Sequence, residues 1–244
     1  MKNLERSGIF MEDLESIVNR VSAKEHVILL HGLLCGPFFM NRIGAALRRL
    51  GYVVHNVGYS SRAASIAQLA DEAIGGAIRA CEAAGASVYH FVTHSMGGIL
   101  VRSYLHRHPH PPALGRVVML APPNHGSEVV DAYLHLPLLK HLFRYLVGAA
   151  GVELSTGSHG TPERLGPADF ELGILAGCRS WNCLHSIFFL SGENDGEVTV
   201  KSTRLEGMQA HRVLLVSHTF IVSNKTAIRE VLHFLSAGKF SDTP

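Results

Sequence analysis

The sequence is poor in charged residues. Only 17% of its 244 residues are Asp, Glu, Lys or Arg, and the formal net charge at pH 7 is +2. No block of Lys and Arg occurs along the chain. No nucleic-acid partner is therefore expected, because phosphate backbones are bound by basic patches or stripes. With 47% hydrophobic residues, the chain can instead bury a large core.

Long apolar runs and cysteine-rich patterns are also absent. No uncharged apolar run reaches the roughly 20 residues that span a bilayer. The opening MKNLERSGIFMEDLESIVNR has acidic residues beside its short apolar patch, so it lacks the apolar core of a secretory signal. We therefore expect a cytoplasmic protein. The four cysteines form no dense framework; Cys178 and Cys183 either pair in an oxidising compartment or are buried free thiols.

Six short apolar runs are predicted to be buried strands, and they are HVILL, YVVHNV, SVYHFV, RVVMLA, SIFFL and RVLLV. Because these runs are apolar throughout rather than alternating, they favour a parallel sheet covered on both faces. Helical patterns lie between them at 38–50, 65–84, 96–106 and 223–235. The alternation predicts one α/β domain over residues 1–244, with about six mostly parallel strands and helices on both faces.

One interval, about 124–182, is too long for an ordinary connection between strands. It contains the apolar segment YLHLPLLKHLFRYLVGAAGVEL and then a loop rich in Gly, Pro and Ser. We predict an inserted cap over one end of the sheet, which covers the substrate. Its apolar face could meet a fatty acyl chain or make transient contact with a lipid surface, and it is either a mobile lid or a fixed helical cap.

Ser95 lies where the strand SVYHFV must turn sharply into a helix that starts near Met96. A serine on such a turn projects its hydroxyl above the sheet, and small residues two positions away allow strand and helix to pack closely. Here Gly97 follows, but Thr93 stands where a glycine is commonest. The alternative is a serine that only caps the helix.

Three further features point to the same edge of the sheet. Gly32 and Leu33 follow the first strand, where a close backbone approach and the Leu33 amide could bind an anion; the alternative is a simple Gly-Pro turn. His31 is expected to order this loop. Asp195 follows the run SIFFL in an Asn-Asp-Gly turn, either as an acid or as an ordinary turn residue.

The choice of acid and base is made by position. Glu193 and Glu197 flank Asp195 and are the alternative acids, but the Asp-Gly turn favours Asp195. Of the three histidines beyond it, His218 alone directly follows a predicted strand, because His211 precedes one and His233 falls in a helical pattern. The histidines of LHRHPHPP, at 106, 108 and 110, are expected in a solvated loop rather than at a metal.

The chain resembles serine esterases and lipases of the α/β-hydrolase fold, closest in pattern to small bacterial lipases and to deacylases of the GPI inositol-deacylase type. The matching motifs are LLHGLLCGP, THSMGG, APPNHGS, NDGEVTV and SHTF. The order Ser, Asp, His is the order of this family. The cap is matched by none of these motifs, so the resemblance says little about the substrate.

The resemblance implies a carboxylic ester hydrolase that acts on small lipophilic acyl esters through an acyl-serine. Ser95 would be the nucleophile, His218 the base and Asp195 the acid that orients it, with an oxyanion hole formed by the amides of Leu33 and Met96. No metal or organic cofactor is required. Thioesterases, amidases and acyltransferases share this site chemistry, and a non-catalytic ligand-binding homologue is the alternative outside the enzymes. The oligomeric state is not indicated.

Overall fold

The computed structural model describes residues 24–180 and 183–242. The opening segment, on which the expectation about a secretory signal rests, lies outside these residues. Cys178 is a free, partly buried cysteine in the structure, so the pairing with Cys183 is not present and the free-thiol alternative holds for Cys178. No helix in the described ranges combines the length and apolarity needed to cross a membrane.

Six parallel strands form one sheet in the order β2, β1, β3, β4, β5, β6. Their bounds are Glu25–Leu30 (β1), Val53–Val57 (β2), Val88–His94 (β3), Leu114–Leu120 (β4), Leu172–Gly177 (β5) and Ala210–Leu214 (β6). The α-helices of the described ranges are Asn41–Arg49 (α1), Ile66–Ala83 (α2), Met96–Arg107 (α3), Glu128–His135 (α4), Lys140–Val152 (α5), Thr161–Arg164 (α6), Cys183–Phe188 (α7), Val200–Thr203 (α8) and Lys225–Ala237 (α9).

Apolar side chains fill a core on each face of the sheet. In β1, Ile28 and Leu30 pack with α2 and α3, whereas Val27 and Leu29 pack with α1 and α9. All four side chains are fully buried. A strand buried on both faces has to be apolar at every position, which is why the strand runs do not alternate. The predicted parallel α/β sheet with helices on both faces is confirmed.

The four helices predicted from sequence periodicity are confirmed as α1, α2, α3 and α9, and their ends have identifiable causes. Helix α2 begins with a capping box, in which the Gln68 amide donates to Ser65 Oγ at 3.3 Å and the Ser65 amide donates to Gln68 Oε1 at 3.2 Å. Helix α9 ends at Gly238, whose φ of 72° is the left-handed conformation that stops a helix.

The predicted strand SIFFL is wrong. Most of it belongs to α7, and Ile187 and Phe188 are 72% and 70% exposed. The fifth strand is the segment LGILAG, Leu172–Gly177, which lies between β4 and β6 and is buried throughout. The exposed apolar run SIFFL was therefore wrongly predicted as a strand. The strand LGILAG, which has few large side chains, was missed.

The small residues of β5 are required by its packing. A Cβ on Gly173 would lie 2.7 Å from the ring of Phe234, and a Cβ on Gly177 would collide with the carbonyl oxygen of Val216. Strand β5 falls inside the interval 124–182 that was expected to be a cap. The cap therefore ends before Leu172 and is shorter than predicted.

The cap contains helices α4, α5 and α6, and a buried arginine connects it to helix α3. Arg102, on α3, donates hydrogen bonds to the carbonyl oxygens of Asn124 at 2.9 Å, Pro162 at 2.9 Å and Gly166 at 2.8 Å. The Arg102 side chain therefore links the start of the cap, at Asn124, to its later part, at Pro162 and Gly166. The helices between these anchors are thereby held over the carboxyl edge of the sheet.

Candidate active site

Ser95 occupies a strained turn between the end of β3 and the start of α3. Its φ of 52° and ψ of −124° are rare for a residue other than glycine, and such strain persists only where surrounding contacts impose it. One such contact is the hydrogen bond from the Ser95 amide to the carbonyl of Leu120, at 2.9 Å. The predicted sharp strand-to-helix turn is present.

Two glycines let this turn form. A Cβ on Gly97 would lie 2.7 Å from the carbonyl oxygen of Leu30 and 2.9 Å from that of His31, so α3 starts against the backbone of β1. Gly98 leaves room for Thr93, because a Cβ there would lie 3.2 Å from Thr93 Oγ1. The threonine at the position where glycine is commonest is thus accommodated by the second glycine of THSMGG.

Asp195 and His218 form a direct pair. His218 Nδ1 donates to Asp195 Oδ2 at 2.8 Å. Asp195 Oδ1 accepts from the amides of Glu197 at 3.0 Å and Val198 at 2.8 Å, and the Asp195 side chain is fully buried. Burial lowers the pKa of His218, but the charge and hydrogen bond of Asp195, together with the charge of Glu197, outweigh it and leave that pKa raised.

A second histidine holds the backbone of the first. His94 Nε2 donates to the carbonyl oxygen of His218 at 3.0 Å, and the two rings lie 4.8 Å apart. Burial, and then the neighbouring His218, lower the pKa of His94 to about 3, so it stays neutral. His94 therefore positions the loop of His218 without competing with it for a proton.

The loop after β1 closes the site from the other side. His31 stacks on Tyr59 with ring centres 4.1 Å apart, and the Tyr59 hydroxyl donates to the carbonyl oxygen of His31. The next turn passes close to Ser95, since a Cβ on Gly32 would lie 3.0 Å from Ser95 Cβ. His31 orders this loop, as the sequence predicts.

The amides expected to bind an oxyanion flank Ser95 in the structure. Leu33 follows Gly32 and lines the cavity above Ser95, while the buried Met96 is the first residue of α3. Neither amide donates a hydrogen bond to another group within the described ranges. Leu34, with φ of 56°, donates its own amide to Ser61 Oγ at 3.0 Å, which fixes the loop beside Leu33.

A cavity of about 300 Å³ joins the carboxyl edge of the sheet to the cap. Ser95, His218 and Leu33 are among the residues that line it. The cap contributes mainly apolar side chains, which are Val129, Val130, Tyr133, Phe143, Val147 and Leu154. The arrangement therefore places the Ser95 hydroxyl and the oriented imidazole of His218 beside a largely apolar chamber.

The other acids and bases considered from sequence have different partners. Glu197 Oε1 lies 3.2 Å from His185 Nδ1. Glu193, in the same loop, is exposed to solvent. His211 Nε2 contacts Thr203 Oγ1 at 2.9 Å, and His233 Nδ1 donates to the carbonyl of Lys239. Among the described contacts, Asp195 is the carboxylate that meets His218.

Sequence reasoning missed a polar group on the cap side of the cavity. Tyr133 Oη lies 3.1 Å from His185 Nε2, and His185 Nδ1 lies 3.2 Å from Glu197 Oε1. All three residues line the cavity. Glu197 was considered from sequence only as an alternative to Asp195. No local signal identifies Tyr133 or His185, which belongs to the short helix α7 next to the run that was predicted as a strand.

The sheet, the strained serine turn and the capped carboxyl edge define the α/β-hydrolase fold. Among solved structures, the chain is similar to the lipase BlEst2 of Bacillus licheniformis. Its propeptide form has a TM-score of 0.69 and 21% identity over 92% of this chain and 53% of that one. Its mature form has a TM-score of 0.63 and 20% identity over 90% of this chain and 94% of that one.

A phospholipase, PlaB from Legionella pneumophila, is also similar. The TM-score is 0.66 and the identity 19%, over 89% of this chain and 61% of that one. This chain thus spans little more than half of two of these solved chains but nearly all of mature BlEst2. No family model matches the sequence, and no curated protein sequence matches it. At these identities the likeness establishes the fold.

Proposed function

We propose that the protein is a serine carboxylic ester hydrolase in which Ser95, His218 and Asp195 form the catalytic triad. The observation that carries this proposal is the 2.8 Å hydrogen bond between His218 and Asp195, at a cavity that also contains Ser95 on its strained turn. A helix cap needs neither the strain nor the oriented imidazole. The lipase and phospholipase names of the structural neighbours support the same class.

In the first half of the reaction, His218 Nε2 takes the proton of Ser95 Oγ while that oxygen attacks the ester carbonyl carbon. Asp195 keeps the other ring nitrogen, Nδ1, protonated and stabilises the imidazolium. The carbonyl oxygen becomes an oxyanion that accepts hydrogen bonds from the amides of Leu33 and Met96. Loss of one such donor typically costs about 3 kcal/mol of transition-state stabilisation.

The tetrahedral intermediate then collapses, and the proton on His218 passes to the leaving alcohol oxygen. In the second half, His218 takes a proton from water, whose oxygen attacks the acyl-serine carbonyl. Collapse returns that proton to Ser95 Oγ and releases the carboxylic acid. Protons and electrons balance without a metal or an organic cofactor.

The proposed substrates are lipophilic acyl esters. The cap side of the cavity is formed largely by aliphatic and aromatic side chains, which suit an acyl chain better than a polar group. Large apolar side chains are also exposed on the cap, most of all Leu138 at 94% and Tyr145 at 75%. We propose that this surface makes transient contact with lipid, as expected from the apolar cap sequence.

The proposal is tested with p-nitrophenyl esters from acetate to palmitate, using the wild type and Ser95→Ala in parallel. We expect measurable initial rates that Ser95→Ala abolishes, because the nucleophile and its base fail together. The preferred chain length would report the size of the apolar cavity. Circular dichroism must show that the variant is folded, so that loss of the hydroxyl is the only change.

A folded wild type that hydrolyses none of these esters would reject the ester hydrolase. Thioesters, amides and a competing alcohol acceptor would then separate the thioesterase, amidase and acyltransferase alternatives, which share the acyl-serine. If the fluorophosphonate probes that label activated serines also fail to label Ser95, the non-catalytic ligand-binding alternative replaces them all.

A further inference from the structure

Three potential metal ligands meet inside the molecule, away from the cavity that contains Ser95. They are His26 on β1, His55 on β2 and Cys81 on α2. One nitrogen from each imidazole and the Cys81 sulfur all lie within 4.8 Å of one another. In the part of the chain that the structure describes, this is the one such group of His, Cys, Asp and Glu ligand atoms.

The sheet register brings the two histidines together. His26 pairs with Val53, and His55 pairs with Ile28, so the two histidines are diagonal neighbours on one face. His26 Nδ1 and His55 Nε2 lie 2.9 Å apart, and their rings stack with centres 5.0 Å apart. Helix α2 covers this face and presents the fully buried Cys81.

The side chains offer donor atoms that suit a metal ion. A neutral imidazole has a lone pair on one ring nitrogen. The Cys81 thiol would release its proton to solvent on binding the metal. The proposed ester hydrolysis uses none of these groups.

The spacing is close to that of a tetrahedral site. Zinc bonds of about 2.0–2.3 Å place neighbouring ligand atoms roughly 3.3–3.6 Å apart. The present separations, 2.9 Å between the two nitrogens and at most 4.8 Å within the group, lie on both sides of that value.

A groove reaches one member of the group. This groove, of about 490 Å³, runs between the end of β2 and helix α2, and His55 lies along it. Water in the groove can approach the group from the His55 side. His55 itself is only half-buried on the edge strand.

We propose that His26, His55 and Cys81 bind a Zn²⁺ ion through two imidazole nitrogens and one thiolate, with water as the fourth ligand. Two nitrogens and one sulfur match the ligand preference of zinc. His26 lies near the start of β1, whereas the loop beside Ser95 follows its end, about 16 Å away at 3.3 Å per residue. The ion therefore joins β1, β2 and α2 and takes no part in the reaction at Ser95.

Cobalt titration of the full-length protein tests this site. After removal of metals with a chelator, Co²⁺ is added and the absorption spectrum is recorded. We expect one Co²⁺ per chain, a near-ultraviolet thiolate-to-cobalt band and the visible bands of a tetrahedral ion, all displaced by Zn²⁺. Cys81→Ser should lose the thiolate band, and His55→Gln should bind at least about tenfold more weakly. Cys178→Ser, which removes a thiol elsewhere, should behave like the wild type.

Thermal unfolding gives a second readout. Zn²⁺ should raise the unfolding temperature of the wild type and of Cys178→Ser but not that of Cys81→Ser. If Cys81→Ser fails to fold, His55→Gln on the edge strand decides the outcome. A folded wild type without the thiolate band, or a band that persists in Cys81→Ser and disappears in Cys178→Ser, would overturn the site. The two histidines would then only hydrogen-bond to each other beside a buried thiol.

Discussion

At the scale of single residues, the pair formed by Asp195 and His218 sets the protonation of the proposed base. Burial of His218 opposes its positive charge, and the carboxylates of Asp195 and Glu197 together more than compensate. The base must be neutral to accept a proton from Ser95. Because its pKa is raised, the rate should fall with acid at a higher pH than for an ordinary histidine.

Asp195→Asn should lower kcat by about 10⁴-fold, because the imidazole loses the partner that fixes its tautomer. The acid limb of kcat/KM should also move to lower pH, since the charge of Glu197 alone would then oppose the effect of burial on the pKa of His218. Both effects can be measured with a p-nitrophenyl ester between pH 4.5 and 9. Glu193→Gln is the matched control and should change neither quantity. A loss of rate in Glu193→Gln but not in Asp195→Asn would show that Glu193, and not Asp195, is the acid that orients His218.

Ser95 and His218 could be proposed from sequence because each follows a strand, whereas Asp195 was chosen for its Asp-Gly turn and for following the run SIFFL, which is not a strand. The sequence places Ser95 at a strand-to-helix turn, Asp195 in an Asp-Gly turn and His218 just past a strand. The group formed by Tyr133 and His185 could not be predicted in this way. These two residues are 52 positions apart and meet only through the packing of the cap.

At the scale of elements, the start of α3 depends on a close approach to β1. Gly97→Ala should destabilise the fold and reduce hydrolysis, because its Cβ would lie 2.7 Å from the carbonyl oxygen of Leu30 and would displace the turn at Ser95. Gly76→Ala is the matched control in helix α2. The nearest atom to its Cβ is Arg79 Nη2 at 4.0 Å, so helix propensity should stabilise that variant by about 0.5–1 kcal/mol.

Urea denaturation and initial rates on a p-nitrophenyl ester would measure both variants. Equal stability and activity for Gly97→Ala and the wild type would show that α3 can move away from β1 at little cost. The serine turn would then be less constrained than its geometry implies.

The same kind of close approach explains why one strand escaped prediction. Strand β5 carries Gly173 against the ring of Phe234, a contact that needs a small residue and interrupts the apolar run of the strand. Strands made of Val, Ile and Leu could be predicted because large apolar side chains indicate burial. The glycines of β5 are buried by neighbours that are distant in the sequence, and Phe234 is 61 residues from Gly173.

At the scale of the whole molecule, the many histidines link stability to pH. His90 and His94 are 4% and 2% exposed, and burial is the main cause that lowers their pKa values, to about 4 and about 3. Arg116 lowers the pKa of His90 further, and Glu171 acts in the opposite direction. In the folded protein both rings stay neutral at a pH where the unfolded chain would protonate them.

Below about pH 6.5 the unfolded chain therefore binds more protons, and the free energy of unfolding should fall by about 1 kcal/mol per pH unit for each of the two rings. His218 does not cancel this loss, because a raised pKa gives stability that is already complete below pH 6.5. Urea midpoints between pH 7.5 and pH 4.5 would measure the slope. His90→Gln retains an acceptor for the Arg116 amide, which now donates to His90 Nδ1 at 2.8 Å. In this variant the free energy of unfolding should fall less steeply with decreasing pH than in the wild type. Equal slopes in the two proteins would mean that His90 is protonated as readily in the folded state as in the unfolded chain.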